Sequence, residues 1–288
     1  MTALQIALFA SVLALGFQAT LADVLYLWRR PTLLARSFVA MFVVMPVVTV
    51  SVLALPLSLG LKIGLTLLVI SPVLHTAGTK MRALGGGPPY VYSLLVTTSL
   101  LAVITVPLSL AILTALPLAA NASVPPLQVA KVIAVTVLLP LAMGAIFGRL
   151  WPRVADRITG PLNKGAGSVL LATLLGLLAL NFTAIWQKTG VLDYLAIAVL
   201  TIVALAVGHW LGGSDPGDRT ALAIATAERN TGVAALIAAL NFADRQAMVM
   251  ILIYKIVTLL VMIPYTKWCK NQIAARPTSS SAAQQPSS

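Results

Sequence analysis

The stretch Ala221–Leu240, ALAIATAERNTGVAALIAAL, places a glutamate, an arginine and an asparagine in the middle of an apolar segment. About 20 apolar residues are enough to cross a bilayer as a helix. A charge at the bilayer centre costs about 2.5–3.5 kcal/mol even on insertion scales. Glu228 and Arg229 therefore indicate a polar cavity or an ion pair, and we expect a helix that is broken at Thr226–Gly232.

A second apolar stretch, Leu61–Thr79, LKIGLTLLVISPVLHTAGT, is interrupted in a similar way. Ser71 and Pro72 are followed by a polar run that includes His75 and Thr79, and proline removes a helix donor. The two interrupted segments are five spans apart, so they should cross the membrane in opposite directions. Paired interruptions in oppositely oriented repeats are typical of a transporter whose binding site lies near the bilayer midplane.

The composition extends this interpretation to the whole chain, since 59% of its 288 residues are hydrophobic and only 9% are charged. A soluble domain has about 25% charged residues, so lipid must solvate much of this surface. The apolar runs are continuous rather than alternating, which predicts helices instead of barrel strands. We expect an all-α membrane protein with about nine spans: Leu4–Leu25, Phe38–Leu59, Leu61–Thr79, Tyr90–Leu116, Val129–Leu150, Gly167–Trp186, Tyr194–Leu211, Ala221–Leu240 and Met248–Tyr265.

These spans predict one transmembrane transporter domain over residues 1–274, with a first repeat at about 1–118 and a second at about 127–268. Residues 275–288 are rich in Ser, Gln and Pro, which predicts a disordered cytosolic tail. No basic segment precedes the first apolar stretch, so we expect a retained span rather than a cleaved signal peptide.

Basic residues predict the orientation. Four follow the even-numbered spans, namely Lys62, Lys131, Lys188 and Arg245. Thirteen follow the odd-numbered spans, namely Arg29, Arg30, Arg36, Lys80, Arg82, Arg149, Arg153, Arg157, Lys164, Arg219, Lys267, Lys270 and Arg276. The positive-inside rule places the N-terminus outside and the C-terminus in the cytoplasm of a bacterial inner membrane. Because the charge alternates between loops, the net charge of +12 indicates membrane topology and not nucleic-acid binding.

The polar residues of the second break have two interpretations each. Glu228 and Arg229 either face a substrate or form a structural ion pair, for example with Lys255 of the last span. Asn230 and Thr231 either offer an amide and a hydroxyl to a ligand or satisfy freed backbone groups. Lys255 itself is either the partner of Glu228 or an attraction for an anionic substrate.

Three further residues are candidates for binding a ligand or a coupling ion. Ser93 and Thr97 are four apart and share a helix face, so their oxygens could coordinate a hard cation or bind a carboxylate. Hydroxyl side chains also pack helices together in membranes without any ligand. His75 could titrate near neutral pH and carry a coupled proton, or it could be a hydrogen-bonded packing residue.

Enzyme motifs are missing from the sequence: it has no phosphate-binding glycine loop, His-Glu zinc pair or aspartate-rich metal motif. Only seven acidic residues are present, too few for an evident multi-carboxylate metal site. We therefore expect a secondary transporter and not an enzyme or an ATP-driven pump. We expect no cofactor other than a sodium ion, and the sequence does not indicate an oligomeric state.

Several segments together resemble the bacterial members of the bile acid:sodium symporter family over nearly the whole chain. Met41–Pro46, MFVVMP, is similar to the family's Gln-Phe-x-x-Met-Pro segment, and Ser93–Thr98, SLLVTT, to its Ser-x-x-x-Thr-Thr segment. Arg229–Gly232, RNTG, resembles Gln-Asn-Ser-Gly of the second broken helix, and VLLP at Val137–Pro140 fits the helix that opens the second repeat. The resemblance implies two inverted repeats with two discontinuous helices that cross, the first repeat lacking its leading helix.

This sequence departs from the family at the implied sodium ligands. Ala225 stands where sodium-coupled members have a glutamate, and Arg229 and Met41 stand where they have glutamines. The family's Ser-Asn pair in the first broken helix falls near Gly78-Thr79. Of the implied first sodium site, Ser93 and Thr97 remain. We hypothesise that the cation of Arg229 takes the space of a sodium ion and that Glu228 supplies a displaced carboxylate.

The expected function is alternating-access transport of a small or amphipathic organic anion. The expected substrate-binding residues are His75, Thr79, Ser93, Thr97, Glu228, Arg229, Asn230 and Thr231, with Ser93 and Thr97 as a weak sodium site. Half-helix N-termini at the crossing would favour the anion. The alternatives are proton-coupled or uncoupled carriage of an organic anion and a non-transporting membrane scaffold or sensor. The partners expected are the anion and membrane lipid.

Overall fold

The computed structural model describes residues 3–115, 124–180, 183, 189–242 and 246–275, and the regular secondary structure in these ranges is helical. In chain order the helices are α1 Ala3–Gln18, α2 Leu21–Trp28, α3 Pro31–Leu53, α4 Leu59–Ile70, α5 Ala77–Ala83, α6 Pro88–Thr114, α7 Leu127–Leu150, α8 Pro152–Leu180, α9 Val191–Leu211, α10 Pro216–Ala227, α11 Thr231–Asn241 and α12 Gln246–Ala274. The tail 276–288 and the predicted span end at Trp186 lie outside the described residues.

Six of the described helices are long and apolar enough to cross a membrane: α3, α6, α7, α8, α9 and α12. The bent pair α1–α2 raises the number to seven if it forms one span. The two interrupted segments do not add to this number, because each half is shorter than a bilayer crossing. The all-helical membrane fold is thus confirmed, whereas the count of nine spans and the inverted repeats stay predictions.

The first predicted span is not one straight helix over Leu4–Leu25. α1 ends at Gln18, and the chain turns by 89° into α2. Thr20 and Asp23 cause this new start, because the Asp23 amide donates to the Thr20 hydroxyl at 3.1 Å and the Asp23 carboxylate accepts from the Thr20 amide. This reciprocal cap begins a helix wherever it forms, and hydropathy alone does not detect it.

Both α3 and α7 contain a π-helical segment just before a proline. The segments are Val39–Val44, which precedes Pro46, and Ala134–Leu138, which precedes Pro140. In α3 the Met45 amide donates to the Ala40 carbonyl, five residues back. In that register the Met41 carbonyl would need an N–H from Pro46, which has none. The helix therefore leaves the Met41 carbonyl without its usual main-chain donor.

Glycines four residues apart allow close helix contacts at two places. In α7, a Cβ at Gly144 would lie 2.3 Å from the Leu13 carbonyl oxygen of α1, and a Cβ at Gly148 would lie 2.7 Å from the Phe17 carbonyl oxygen. Gly208 of α9 and Gly212, just after the end of α9, approach the backbone of α10 in the same manner. Small residues at this spacing let membrane helices pack backbone to backbone. The second contact holds the first half of an interrupted helix firmly against α9.

Candidate functional site

The two interrupted helices are broken where the sequence predicted, and they cross at the breaks, as the family resemblance implied. α4 ends at Ile70 before α5 begins at Ala77, and α10 ends at Ala227 before α11 begins at Thr231. Val73 and Arg229 form an antiparallel β-bridge at the crossing. The Leu74 amide donates to the Glu228 carbonyl at 3.0 Å, and the Asn230 amide donates to the Pro72 carbonyl at 2.9 Å. Each break thus satisfies backbone groups that the other leaves free.

Local chemistry explains where the helices stop. A residue before proline is pushed out of the helical region, and Ser71, which precedes Pro72, has an extended ψ of 145°. At the second break the Asn230 side chain accepts from the Val233 amide at 3.1 Å and so caps α11. The Tyr254 hydroxyl of α12 donates to the Ala227 carbonyl at 3.0 Å, which satisfies the last turn of α10.

Glu228 lies at the centre of a buried charge cluster and is 2% exposed. The Lys255 ammonium donates to one carboxylate oxygen, Oε2, at 2.6 Å, and the Lys80 ammonium donates to the other, Oε1. The ion pair with Lys255 that the sequence left open is therefore present. Lys80 comes from α5, so the cluster joins both interrupted helices to α12. Together with Arg229, the cluster has three basic side chains and one acidic side chain.

Arg229 is 3% exposed and does not share the Glu228 carboxylate. Its Nη2 donates to the Met41 carbonyl oxygen at 2.7 Å, and its Nη1 donates to the Ser71 carbonyl oxygen at 3.4 Å. Within the described part of the chain, these polar partners are both main-chain carbonyls. The Met41 oxygen is the one that the π-helical segment of α3 leaves free.

His75 is buried behind the crossing, and its partners determine its tautomer. Its Nε2 lies 3.0 Å from the Ser99 hydroxyl, whose own hydrogen goes to the Leu95 carbonyl at 2.6 Å. Nε2 must therefore carry the proton and donate. Asn230 approaches Nδ1 with its amide nitrogen at 3.5 Å, because its carbonyl oxygen already accepts from Val233. His75 thus contacts Ser99 with one ring nitrogen and Asn230 of the second break with the other.

The hydroxyl candidates do not gather into one site. The Ser93 hydroxyl accepts from the Leu27 amide at 2.9 Å and donates to the Val24 carbonyl at 3.0 Å, so it fastens α2 to α6. Thr97 and Thr231 are buried, and their hydroxyl oxygens have no hydrogen-bond partner among the described residues. Thr79 is exposed on α5, next to Lys80.

Three residues of the site were not picked out from the sequence. Lys80 follows the third predicted span, so the charge pattern assigned it to a loop. Ser99 and Tyr254 gave no signal, because a single hydroxyl in an apolar span is common. Only the fold places Ser99 beside His75 and Tyr254 beside the end of α10.

A cavity of about 660 Å³, here called the apolar crevice, opens between α1–α2, α6 and α7. Phe17, Val96 and Leu141 line it from these three sides, and Arg149 contributes a cation. Next to its wall, the Tyr92 hydroxyl donates to the Gln18 side chain, and Arg82 of α5 stacks on the Tyr92 ring at 5.2 Å. The crevice is thus connected to the first interrupted helix through a short chain of contacts.

Comparison with known proteins gives one family. Residues 5–192 match the model of the Sodium Bile acid symporter family, which is more than half of the chain. The matched region contains the first interrupted helix, the helix with Ser93 and Thr97, and the walls of the apolar crevice. The second interrupted helix lies beyond it. No curated protein matches the chain.

Proposed function

The chain belongs to the sodium bile acid symporter family, and on that premise we propose that it is a secondary transporter that moves a small or amphipathic organic anion by alternating access. The observation that carries this proposal is the excess of positive charge at the crossing. Lys80 and Lys255 pair with the single Glu228 carboxylate there, and Arg229, which donates to main-chain carbonyls, adds a third positive charge.

The exposed members of the crossing suggest where an anion would bind. Glu228 and Arg229 are almost fully buried, whereas about a third of the Lys80 side chain is exposed. Thr79, its neighbour on α5, is exposed as well. An incoming carboxylate or sulfonate can therefore reach the Lys80 ammonium without unfolding the crossing, and the Thr79 hydroxyl can donate a second hydrogen bond.

The apolar crevice suggests the nature of the remaining part of the substrate. Its volume of about 660 Å³ falls within the range of pockets for drug-sized ligands. Its walls are mainly apolar, and Arg149 is the charged residue that lines it. A molecule with an apolar body and an acidic end fits this chemistry better than a small hydrophilic anion does.

We further propose a bacterial inner-membrane location with the N-terminus outside and the C-terminus in the cytoplasm. The basic residues support this orientation, because Arg149 and Arg153 follow an odd-numbered predicted span together with Arg157 and Lys164. Alternating access would then expose the crevice and the crossing to each side in turn.

Solute counterflow in liposomes tests the proposal. Liposomes with purified protein are preloaded with one organic acid from a panel that includes a bile acid, an aromatic monocarboxylate and a short aliphatic acid. Labelled acid is then added outside. We expect transient accumulation of label for at least one amphipathic acid and none in protein-free liposomes. No accumulation for any acid, with protein that is still folded, would favour a scaffold or sensor.

Matched variants connect the activity to the crevice. Arg149→Gln should reduce counterflow at least several-fold, because the crevice loses the cation that attracts the anion. Arg153→Gln, four residues further along the chain and exposed on α8, should have no effect. Equal activity of the two variants would remove the crevice from the substrate path.

A further inference from the structure

We infer that Arg229 is a built-in cation: its guanidinium fills a seat of main-chain oxygens in which a free metal ion would otherwise bind, and the carrier therefore works without sodium. Transport itself rests on the proposed function, whereas the cation seat follows from the contacts of the crossing alone.

The first oxygen of the seat is the Met41 carbonyl of α3. Because Met45 donates to Ala40 and Pro46 has no N–H, the helix supplies no main-chain donor for this oxygen. Met41 is fully buried, so water does not reach the carbonyl from the surface. An unpaired buried carbonyl is unfavourable, and Arg229 Nη2 satisfies it at 2.7 Å.

The second oxygen is the Ser71 carbonyl, at the end of the first interrupted helix. The C-terminal end of a helix carries partial negative charge, and α4 ends at this point. Transporters with discontinuous helices coordinate their cations with unwound carbonyls and half-helix C-terminal ends. Arg229 Nη1 approaches the Ser71 oxygen at 3.4 Å. A planar guanidinium can bridge two such oxygens with separate N–H groups.

Arg229 has the surroundings of a bound cation rather than of an ion pair. The neighbouring carboxylate, that of Glu228, accepts a hydrogen bond from Lys80 with one oxygen and from Lys255 with the other. A hard cation needs several oxygen ligands held together. At the crossing, the Met41 and Ser71 carbonyls are already bonded to a positive guanidinium, and the Glu228 carboxylate is already bonded to two ammonium groups. The Thr231 hydroxyl oxygen has no partner among the described residues, but it is a single ligand. Sodium therefore meets both repulsion and occupied ligands.

Thermal unfolding of the purified protein tests this inference without any transport. Wild-type protein is melted in sodium, potassium or choline chloride at one ionic strength, and we expect the same Tm in all three. Arg229→Ala opens a gap at the two carbonyls. We expect this variant to melt lower and to gain a saturable rise in Tm with millimolar methylguanidinium or an alkali cation, since a ligand of the native state stabilises it.

Arg153→Ala is the matched control, because this arginine is exposed on α8 and its removal should create no cation response. If Arg229→Ala does not yield folded protein, Arg229→Lys keeps a cation in reach of the carbonyls and should restore folded yield where Arg229→Gln does not. Equal yields of the Lys and Gln variants would contradict a cation seat.

Two other results would overturn the inference. One is a saturable, sodium-specific rise in the Tm of the wild type. The other is a folded Arg229→Ala variant whose Tm responds to none of the cations. A cation response of Arg229→Ala, together with no counterflow by the wild type, would contradict the proposed transport function but would still support the cation seat.

Discussion

Removing the Glu228 carboxylate should destabilise the protein more than removing Lys255, the more buried of its two cations, and removing both should be less harmful than removing Glu228 alone. The Lys255 ammonium lies 2.6 Å from the carboxylate, and the side chains are 15% and 2% exposed. At this depth the desolvation penalty offsets much of the attraction, so the pair adds little net stability. Breaking it by removing one partner nevertheless costs about 3–5 kcal/mol, because a buried charge stays behind.

The structure predicts which variants lose the most stability. Lys255→Met leaves Glu228 with Lys80, so its cost should fall at the lower end, about 3 kcal/mol. Glu228→Gln leaves both ammonium groups without a counter-charge, and its cost should approach about 5 kcal/mol. In the double variant only Lys80 loses its partner, and this side chain is one third exposed and can turn to water. Adding Lys255→Met to Glu228→Gln should therefore recover about 1–2 kcal/mol, because it removes a buried charge that has lost its partner.

Thermal unfolding in detergent, followed for the four proteins of this cycle, measures the effect. A change of 1 kcal/mol shifts Tm by about 2–4 °C for domains of this size class, so the Glu228→Gln variant should melt roughly 10–20 °C below the wild type. Lys131→Met, an exposed lysine on α7, is the control and should change Tm little. A double variant that melts below Glu228→Gln by the full cost of Lys255→Met would refute the reasoning.

In a variant without the native cysteine, a cysteine at Thr189 should react with an impermeant reagent from outside and one at Arg153 should not; the reverse pattern would invert the proposed orientation. Gly144→Ala should destabilise by about 1–3 kcal/mol, because its Cβ would lie 2.3 Å from an α1 carbonyl, whereas Gly176→Ala, with open space around it, should be neutral or stabilising in the same unfolding assay. Asp218, outside the predicted span 221–240, has a pKa raised to about 6 by burial and by Asp215, against an opposing effect of Arg30. The folded state therefore binds more protons than the unfolded state between about pH 4 and 6, and the free energy of unfolding should fall as pH rises through this window. Asp218→Asn should abolish that pH dependence. An unchanged pH dependence in the variant would contradict the role of Asp218.

Hydropathy and local chemistry were sufficient for the membrane class and for both breaks. Continuous apolar runs exclude a water-facing shell, and Pro72 and the segment Glu228–Asn230 stop a helix through interactions within a few residues. The family also followed from short local segments, and the match over residues 5–192 confirmed it. The bend at Thr20 shows the opposite case, because a local cap signal was present and the hydropathy of the stretch concealed it.

The partners of the buried charges were decided only by the tertiary structure. Lys80 reaches Glu228 across 148 residues of sequence, and Arg229 reaches the Met41 carbonyl across 188. Side-chain periodicity says which face a residue occupies, but not which distant backbone group the packing of other helices places there. Ser93 shows this most clearly, since its spacing from Thr97 allowed a shared cation site, whereas in the fold its hydroxyl bonds to the backbone of α2. The sequence thus determined that charges are buried in the membrane and where the helices break, while the packing determined which oxygen atoms surround each charge.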